Sequence, residues 1–460
     1  MSALPALKSL LGPKGFTQDP EIIAPWLTEW RDRYQGQTPV MISPANTDEV
    51  GAAVKICARA GLAIMPQGGN TGLVGGNTPQ GEVLLSTRRM NAVRSISPAD
   101  NIMIAEAGVT LQAAQDAASG AGRKFPLALA SQGSCTIGGN LSTNAGGVHV
   151  IKYGTAKSLV TGIEAVLPNG QIFNGLSHLK KDNTGYDLSR LFLGAEGTLG
   201  IITAAALRLY AKPAVLIRVM VALPGLEAAM QLLERAQGPA LTMFEIIPRL
   251  GLSAVTQNFD GLSDPFTAPH PWYGLLDFEY FSTGDHSAEI EALMGGALEA
   301  GLIRDAVIAQ NEVQAANLLA LRENMSAGQK FIGASIKHDV SVPVGKVPEF
   351  MARADDAVKK LVPCCRPCGF GHLGDGNIHY NISSPTGMDA DEYLKNRDAM
   401  QKAVHDIVAD LGGSISAEHG IGILKKDDLA MRADPVKLEL MRTLKTAIDP
   451  DRIMNPRVMI

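Results

Sequence analysis

The chain has 460 residues, 46% hydrophobic and 19% charged, with a formal net charge of −5 and a pI near 6.0. That balance suits two or three core-forming domains, and the absence of a dense Lys/Arg block excludes a nucleic-acid or polyanion surface. Five irregularly spaced cysteines fit a reducing compartment, and without a stretch of about 18 apolar residues or a signal or transit pattern the expected location is cytoplasmic, with peripheral attachment to a membrane electron carrier left open.

Ile22, Ile23, Trp26, Leu27 and Trp30 recur at helical spacing and predict a helix over 20–35. Thr47 or Asp48 is placed to cap a second over 49–60. A short strand at 63–65 runs directly into Pro66-Gln-Gly-Gly-Asn-Thr-Gly-Leu-Val-Gly-Gly76. Strands are predicted at 83–86, 102–106, 163–167 and 201–209, and helices at 110–121 and 188–193. After Tyr210 the pattern changes to strand 215–222, helix 225–236, strands 242–247 and 274–280, and helix 287–300. This order predicts an α+β domain, an antiparallel sheet covered by helices. Segments 335–342, 347–361 and 377–383 continue it, and a long helix is expected over 389–411. The boundaries fall near 210 and 413: a cofactor domain over 1–210, a substrate domain inserted over 211–413, and a segment over 414–460 returning to the first.

Three glycine-dense segments occupy the first domain: 66–76, 131–147 and 194–200. Glycine lets the backbone approach a ligand and lets successive N–H groups face one concavity, which suits a diphosphate. None has the Rossmann spacing. A literal G-x-G-x-x-G at Gly369, Gly371 and Gly374 follows a Cys/Pro-rich turn and leads into a strand-like run, not a helix, so it is rejected as a dinucleotide fingerprint. The pattern favours a flavin over NAD.

His372 and His379 flank a second glycine-rich turn, and Glu418-His419 follows. Two imidazoles and a carboxylate are ligand types for a catalytic divalent metal, and His419 is then free to act as a base. Gly374, Asp375, Gly376 and Asn377 forbid a helix between the two histidines; a tight turn brings them together. Cys364, Cys365 and Cys368 lack a second pair at finger spacing and are set aside as loop or buried thiols.

The segments 66–76, 126–147, Lys181-Asp-Asn-Thr-Gly-Tyr-Asp187, 195–203, 371–381, 416–422 and Asp449-Pro-Asp-Arg-Ile-Met-Asn-Pro456 together resemble the FAD-linked D-2-hydroxyacid dehydrogenases of the vanillyl-alcohol-oxidase-like flavoproteins. The resemblance runs nearly end to end and implies a PCMH-type FAD-binding domain with the inserted substrate domain described above. It implies that Pro66, Gln67, Gly68, Gly69, Asn70, Thr71, Gly72, Gly75 and Gly76 hold the FAD diphosphate. Gly133, Ser134, Ile137, Gly138, Gly139, Asn140, Asn144, Gly146 and Gly147 fall in the flavin region, with Glu196, Gly197, Gly200, Ile201 and Asn455 as further cofactor residues. Some relatives carry a covalently attaching histidine where this chain has Asn70, so the FAD is expected to be non-covalent. His372, His379 and Glu418 are implied metal ligands, for zinc with manganese as the alternative, and His419 the catalytic base.

The family pattern places an Arg, a hydroxyl residue and a Lys around a substrate carboxylate; Arg322, Ser326 and Lys337 match in order, and Asn381 is expected to orient the substrate. Ser326 stands for the more familiar Thr, and His338 for a Tyr, which leaves the pocket's shape open. With a metal on the α-carboxylate, two further cations suit a second, distal carboxylate. The expected substrate is D-2-hydroxyglutarate, with D-lactate, D-malate or glycolate as the alternative, and an electron-transfer flavoprotein or a quinone as acceptor. A non-redox flavoprotein synthase, an oxidase subunit needing iron–sulfur partners, and a homodimeric assembly are the other expectations weighed.

Overall fold

A computed structural model describes residues 3–460, which divide into two compact units. The first takes the chain up to Gly146, then Gly154–Lys212 and Glu418–Ile460; the second takes Gly147–Tyr153 and Pro213–Ala417. The boundaries expected at 210 and 413 therefore fall a few residues early, and Gly147 groups with the second unit rather than with the cofactor loops. The cause is the helical turn Val150–Tyr153, which packs on the strand Leu241–Pro248. Its Tyr153 hydroxyl donates to Glu279 at 2.8 Å.

The first unit opens with a helix, Ala3–Gly15, not predicted from sequence; its Leu7 and Leu11 enter a core with Val40, Ile42, Val50 and Val54. A four-stranded sheet runs in the order Phe16–Thr17, Met41–Ile42, Val83–Ser86, Ile64–Gln67, the last three parallel. The helix Thr47–Arg59 is capped by Asn46, which accepts from the Glu49 N–H, so the cap lies one residue before the expected pair. A five-stranded antiparallel sheet follows the order Val93–Ser97, Ile102–Glu106, Ile201–Arg208, Val160–Val166, Ile172–Asn174.

Two helical predictions here shorten. The one over 20–35 stops at Trp26, because Pro25 has no N–H to continue it and the Glu29 carboxylate gathers the N–H groups of Arg31 and Arg33 into a loop. The one over 188–193 is a single 3-10 turn, Leu188–Leu191.

The second unit is built on one antiparallel sheet. Its strands are β1 (Val215–Leu223), β2 (Leu241–Pro248), β3 (Trp272–Tyr280), β4 (Asp305–Ile308), β5 (Ser335–Lys337), β6 (Val340–Ser341), β7 (Arg366–His372) and β8 (Asn377–Ser383). They lie in the order β4-β1-β3-β2-β7-β8-β5, with β6 also paired to β8. Its principal helices are α1 (Leu226–Ala236), α2 (Arg249–Thr256), α3 (Ser287–Glu299), α4 (Glu312–Glu323), α5 (Val347–Leu361) and α6 (Arg397–Asp410). Strand alternation sends Val219, Phe244, Leu276, Ile378 and Tyr380 to the face covered by α1, α3, α5 and α6. Met220, Met243, Leu275, Cys368 and Phe370 go to the opposite face, under α2 and α4.

The α+β architecture is the expected one, with local differences. The segment 335–342 is two short strands rather than one. The helix over 389–411 breaks into Ala390–Leu394 and Arg397–Asp410. Of the Cys/Pro-rich stretch, Pro363 and Cys364 form the turn and Arg366 begins strand β7, whose buried middle carries Cys368 and Phe370. No helix is long and apolar enough to cross a membrane among the described residues.

Candidate active site

In the first unit the glycine-dense loops meet. β-strand Ile64–Gln67 delivers the chain into Gly68-Gly69, where an added Cβ would lie 2.2 Å from Thr136 Oγ1 and 1.9 Å from the Ser134 carbonyl oxygen. The two loops are thus pressed backbone to backbone, and only glycine fits at Gly69. Thr136 Oγ1 is buried without a hydrogen-bond partner among the described residues, an orphan donor and acceptor at the root of the Ile137–Ser142 helix that carries Gly138, Gly139 and Asn140. Convergent backbone and an unsatisfied hydroxyl fit a phosphate-bearing cofactor such as FAD.

Several expected cofactor residues also knit the cradle. Asn70, at φ 57°, donates to the Thr28 carbonyl at 3.0 Å and accepts from Asn77 at 2.6 Å. Gln67 donates to the carbonyls of Trp26 and Asn77, both at 2.9 Å. Asn144 accepts from the Thr155 hydroxyl and the Lys157 N–H. The buried Glu196 carboxylate accepts from the N–H groups of Ile421 and Gly422, at 2.6 and 2.8 Å. Burial pushes its pKa up, and those two N–H groups oppose the shift. Asn455 donates to the carbonyls of Gly76 and Glu196, Gly197 packs on the Pro66 ring, and Ile201 pairs with Val166 after Gly200. The Glu196 carboxylate and the Asn455 amide nitrogen are engaged by backbone and shape the cradle through the segments they join, while Asn455 Oδ1 is buried with no hydrogen-bond partner among the described residues.

In the second unit, β7 and β8 form a hairpin whose turn holds Gly374 and Gly376. Gly376 has φ 77°, and a Cβ there would sit 2.1 Å from the Val342 carbonyl oxygen. The register pairs Phe370 with His379 and Cys368 with Asn381. The rings of His372 and His379 lie 5.4 Å apart at 78°. Glu245 on β2 is the register partner of His372, and Lys337 on β5 is that of Asn381. On the α2/α4 face, therefore, Glu245 sits beside His372, His379 beside Phe370 two residues back along β7, and Asn381 with Lys337 beside Cys368 two residues further back.

Glu245 was not anticipated, although a carboxylate inside the apolar run Leu241–Ile247 is the signal that marks it. It is fully buried. One oxygen meets His372 Nδ1, and the other accepts from Arg322 Nε, on α4, at 2.5 Å. Burial alone would raise its pKa; the charge of Arg322 and the contact with His372 overcome that and hold it down at about 2. Arg322 also lies over the Phe370 ring, 4.8 Å from its centroid. Asp339 approaches His379 Nδ1 at 3.8 Å, and the buried Gln329 accepts from Asn381 at 2.7 Å while donating to Cys368 Sγ. Two imidazoles flanked by carboxylates on their Nδ1 sides are a donor set that suits a divalent metal.

Ser326 is exposed on the turn Met325–Gly328, and its carbonyl oxygen faces Lys337 Nζ at 3.5 Å. His338 turns away from this group: its Nδ1 lies 2.8 Å from the Tyr380 carbonyl oxygen and its ring stands edge-on to His405 of α6. The Tyr-to-His difference therefore falls on the opposite face from Lys337. Cys364 is exposed and Cys365 buried, and all five cysteines are free.

The chain leaves the second unit at Ala417, whose N–H reaches the Asp339 carbonyl at 3.4 Å. Glu418 follows directly, then His419, both half-buried at the start of the first unit's last segment.

Residues 38–175 match the FAD binding domain family, and residues 212–459 match the FAD linked oxidases, C-terminal domain. The chain is 35% identical over 452 residues to the D-2-hydroxyglutarate dehydrogenase of Stutzerimonas stutzeri (strain A1501), covering 98% of this chain and 97% of that one. It is 35% identical over 453 residues to the mitochondrial D-2-hydroxyglutarate dehydrogenase of Arabidopsis thaliana, covering 98% and 80%. It is 32% identical over 452 residues to a D-2-hydroxyglutarate–pyruvate transhydrogenase of Saccharomyces cerevisiae, covering 96% and 90%. Among solved structures it is similar to p-cresol methylhydroxylase, with a TM-score of 0.78 at 18% identity over 99% of this chain and 95% of that one. Alkyldihydroxyacetonephosphate synthase gives 0.73 at 18% identity, over 99% and 84%. Both share the fold, so the fold alone does not choose between redox and non-redox chemistry.

Proposed function

Because this chain belongs to the FAD-linked oxidases, we propose that it oxidises D-2-hydroxyglutarate to 2-oxoglutarate and passes the electrons to a non-nicotinamide acceptor, an electron-transfer flavoprotein or a quinone. The names of its relatives support the substrate class. The observation that carries the reading is Arg322. Its Nε is held by Glu245, while its two Nη nitrogens hydrogen-bond nothing among the described residues, which leaves a planar fork for a ligand carboxylate.

FAD held on the Pro66–Gly76 and Gly133–Gly146 loops supplies the acceptor for the substrate's Cα hydride. His372, His379 and Glu418 would hold a divalent ion, zinc or manganese, which lowers the pKa of a bound α-hydroxyl. Glu418 is included in that set on the family resemblance of the segment 416–422. His419 takes the hydroxyl proton as general base. Arg322 and Lys337 bind the distal carboxylate, with Ser326 beside them, and Asn381, steadied by Gln329, orients the substrate.

Glu245 revises the charge count drawn from sequence. Arg322 does not act as a full, uncompensated cation, so the site suits one distal carboxylate without over-neutralising it. The same offset keeps D-lactate as the second reading, with D-malate and glycolate behind it, because a partly compensated site tolerates an uncharged group better.

Anaerobic reduction of the purified flavoprotein by D-2-hydroxyglutarate, D-malate, D-lactate and glycolate, before and after EDTA, tests the proposal. Fastest bleaching by hydroxyglutarate, abolished by EDTA, is expected. Faster bleaching by lactate would keep the enzyme class and overturn the substrate; no bleaching by any of the four would return the non-redox synthase.

A further inference from the structure

Glu245 is assigned no part in the chemistry above, yet its two oxygens bond a proposed metal ligand, His372, and a proposed substrate ligand, Arg322. It sits fully buried in the middle of β2, between Phe244 and Ile246 of the opposite face, with Met243 and Ile247 beside it on its own. A carboxylate in such surroundings persists only when both oxygens are matched by donors. The match here is complete: the β2–β7 register sets His372 opposite it, and α4 lowers Arg322 onto its second oxygen. Phe370, next but one to His372, lies under the guanidinium and 5.2 Å from the His379 ring. The arginine and both histidines are thereby fixed against the same short stretch of sheet.

We propose that Glu245 is a positioning residue that sets the tautomer of His372 and couples metal affinity at one end of the site to carboxylate recognition at the other. The inference rests on the metal and substrate assignments made under the proposed function. An ionised carboxylate can only accept hydrogen bonds. Arg322 Nε can only donate, so one oxygen is committed to it. The other oxygen then requires His372 to donate from Nδ1, which leaves the Nε2 lone pair to ligate. A glutamine at this position has one accepting and one donating atom. The cation takes the accepting oxygen, the amide NH2 turns to His372, and the ring must accept at Nδ1 and carry its proton on Nε2, the wrong nitrogen for a metal.

The test is Glu245→Gln in the full-length flavoprotein, read in two ways. Histidine 15N shifts, recorded after EDTA treatment and assigned with a His372→Asn control, report the tautomer without any metal. Competition of zinc or manganese against a chelator reports affinity. The expected result is an Nδ1–H tautomer in the parent protein, Nε2–H in Glu245→Gln, and an affinity loss of about 10–100-fold with FAD content unchanged. An unchanged tautomer in the variant overturns the positioning role, whatever the metal data. An altered tautomer with a parent protein that binds no metal overturns the metal assignment instead, so the two failures are told apart. If Glu245→Gln does not fold, Arg322→Lys replaces it: losing the Nε donor should weaken metal binding several-fold although Arg322 is no ligand, and unchanged affinity there removes the coupling.

Discussion

Lys337 and Asn381 face each other as register partners across β5 and β8. Asn381 is buried and held by Gln329, whereas Lys337 reaches the Ser326 carbonyl oxygen at 3.5 Å. The lysine is therefore placed beside the turn that follows α4, on the same face of the sheet as Glu245 and His379. A charge-assisted hydrogen bond to a carboxylate contributes about 1.5–3 kcal/mol, roughly 10- to 100-fold in binding. Lys337→Met should raise KM for D-2-hydroxyglutarate by that factor and change KM for D-lactate by about 2-fold or less, in steady-state assays with an artificial dye. Equal effects on both substrates would remove the distal-carboxylate assignment.

Acid should weaken the first unit through Glu164. Its carboxylate accepts from Thr47 Oγ1 at 2.5 Å, Thr203 Oγ1 at 2.9 Å and Arg94 at 3.0 Å. Burial works to raise its pKa, but Arg94 and the two hydroxyls outweigh it and hold the group below its ordinary 4.5. A folded-state pKa below the unfolded one means that the unfolded chain binds the proton more readily as pH falls. The stabilisation is thus fully present above pH 4.5 and is lost below it. Glu164→Gln should cost about 1–3 kcal/mol near neutral pH and flatten the acid limb of a Tm-against-pH series. A variant whose acid limb keeps the parent slope would rule this linkage out.

Asn70 bears on how the flavin is held. Its side chain is taken up by the Thr28 carbonyl and by Asn77, and an amide offers no nucleophile for attachment. Acid precipitation should therefore leave a colourless pellet and a yellow supernatant containing stoichiometric FAD. Yellow retained in the washed pellet would show a covalent link elsewhere.

Periodicity disclosed the fold where burial is one-sided or continuous. Val215–Leu223, Leu241–Pro248 and Leu226–Ala236 stand within a residue of their predicted bounds, because each carries an uninterrupted apolar run or stripe. Strand β7 escaped because Arg366, Pro367 and three cysteines nearby mimic a turn, and its apolar face is only Cys368 and Phe370. The helix over 20–35 failed for the opposite reason: its spacing was right, but Pro25 and the Glu29 loop override it. At the candidate site, His372, His379 and Arg322 were legible as chemistry-bearing residues in odd places. Glu245 was not, since within one sequence a lone acid in a strand reads as an edge or surface position until the strand is seen to be central. Only the pairing of β2 with β7, 127 residues apart at Glu245 and His372, turns it into a partner.

His419 carries the proton-transfer assignment and has the sharpest consequence. It lies two residues past Ala417, and the next residue, Gly420 at φ 78°, would place a Cβ 2.6 Å from Glu196 Oε1. The backbone after the histidine is thus closely confined, so a side-chain change at 419 need not disturb the loop. His419→Asn keeps a polar group of similar width but cannot accept a proton. Loss of a general base typically costs about 10²–10⁴ in rate, and the loss should fall on kcat with KM for D-2-hydroxyglutarate within about 3-fold. The parent's rise of kcat/KM with pH, which reports deprotonation of the base, should vanish in the variant, while FAD and metal content stay at the parent level. A variant that keeps that rise would assign the base to another group, and one that loses metal would make His419 a ligand.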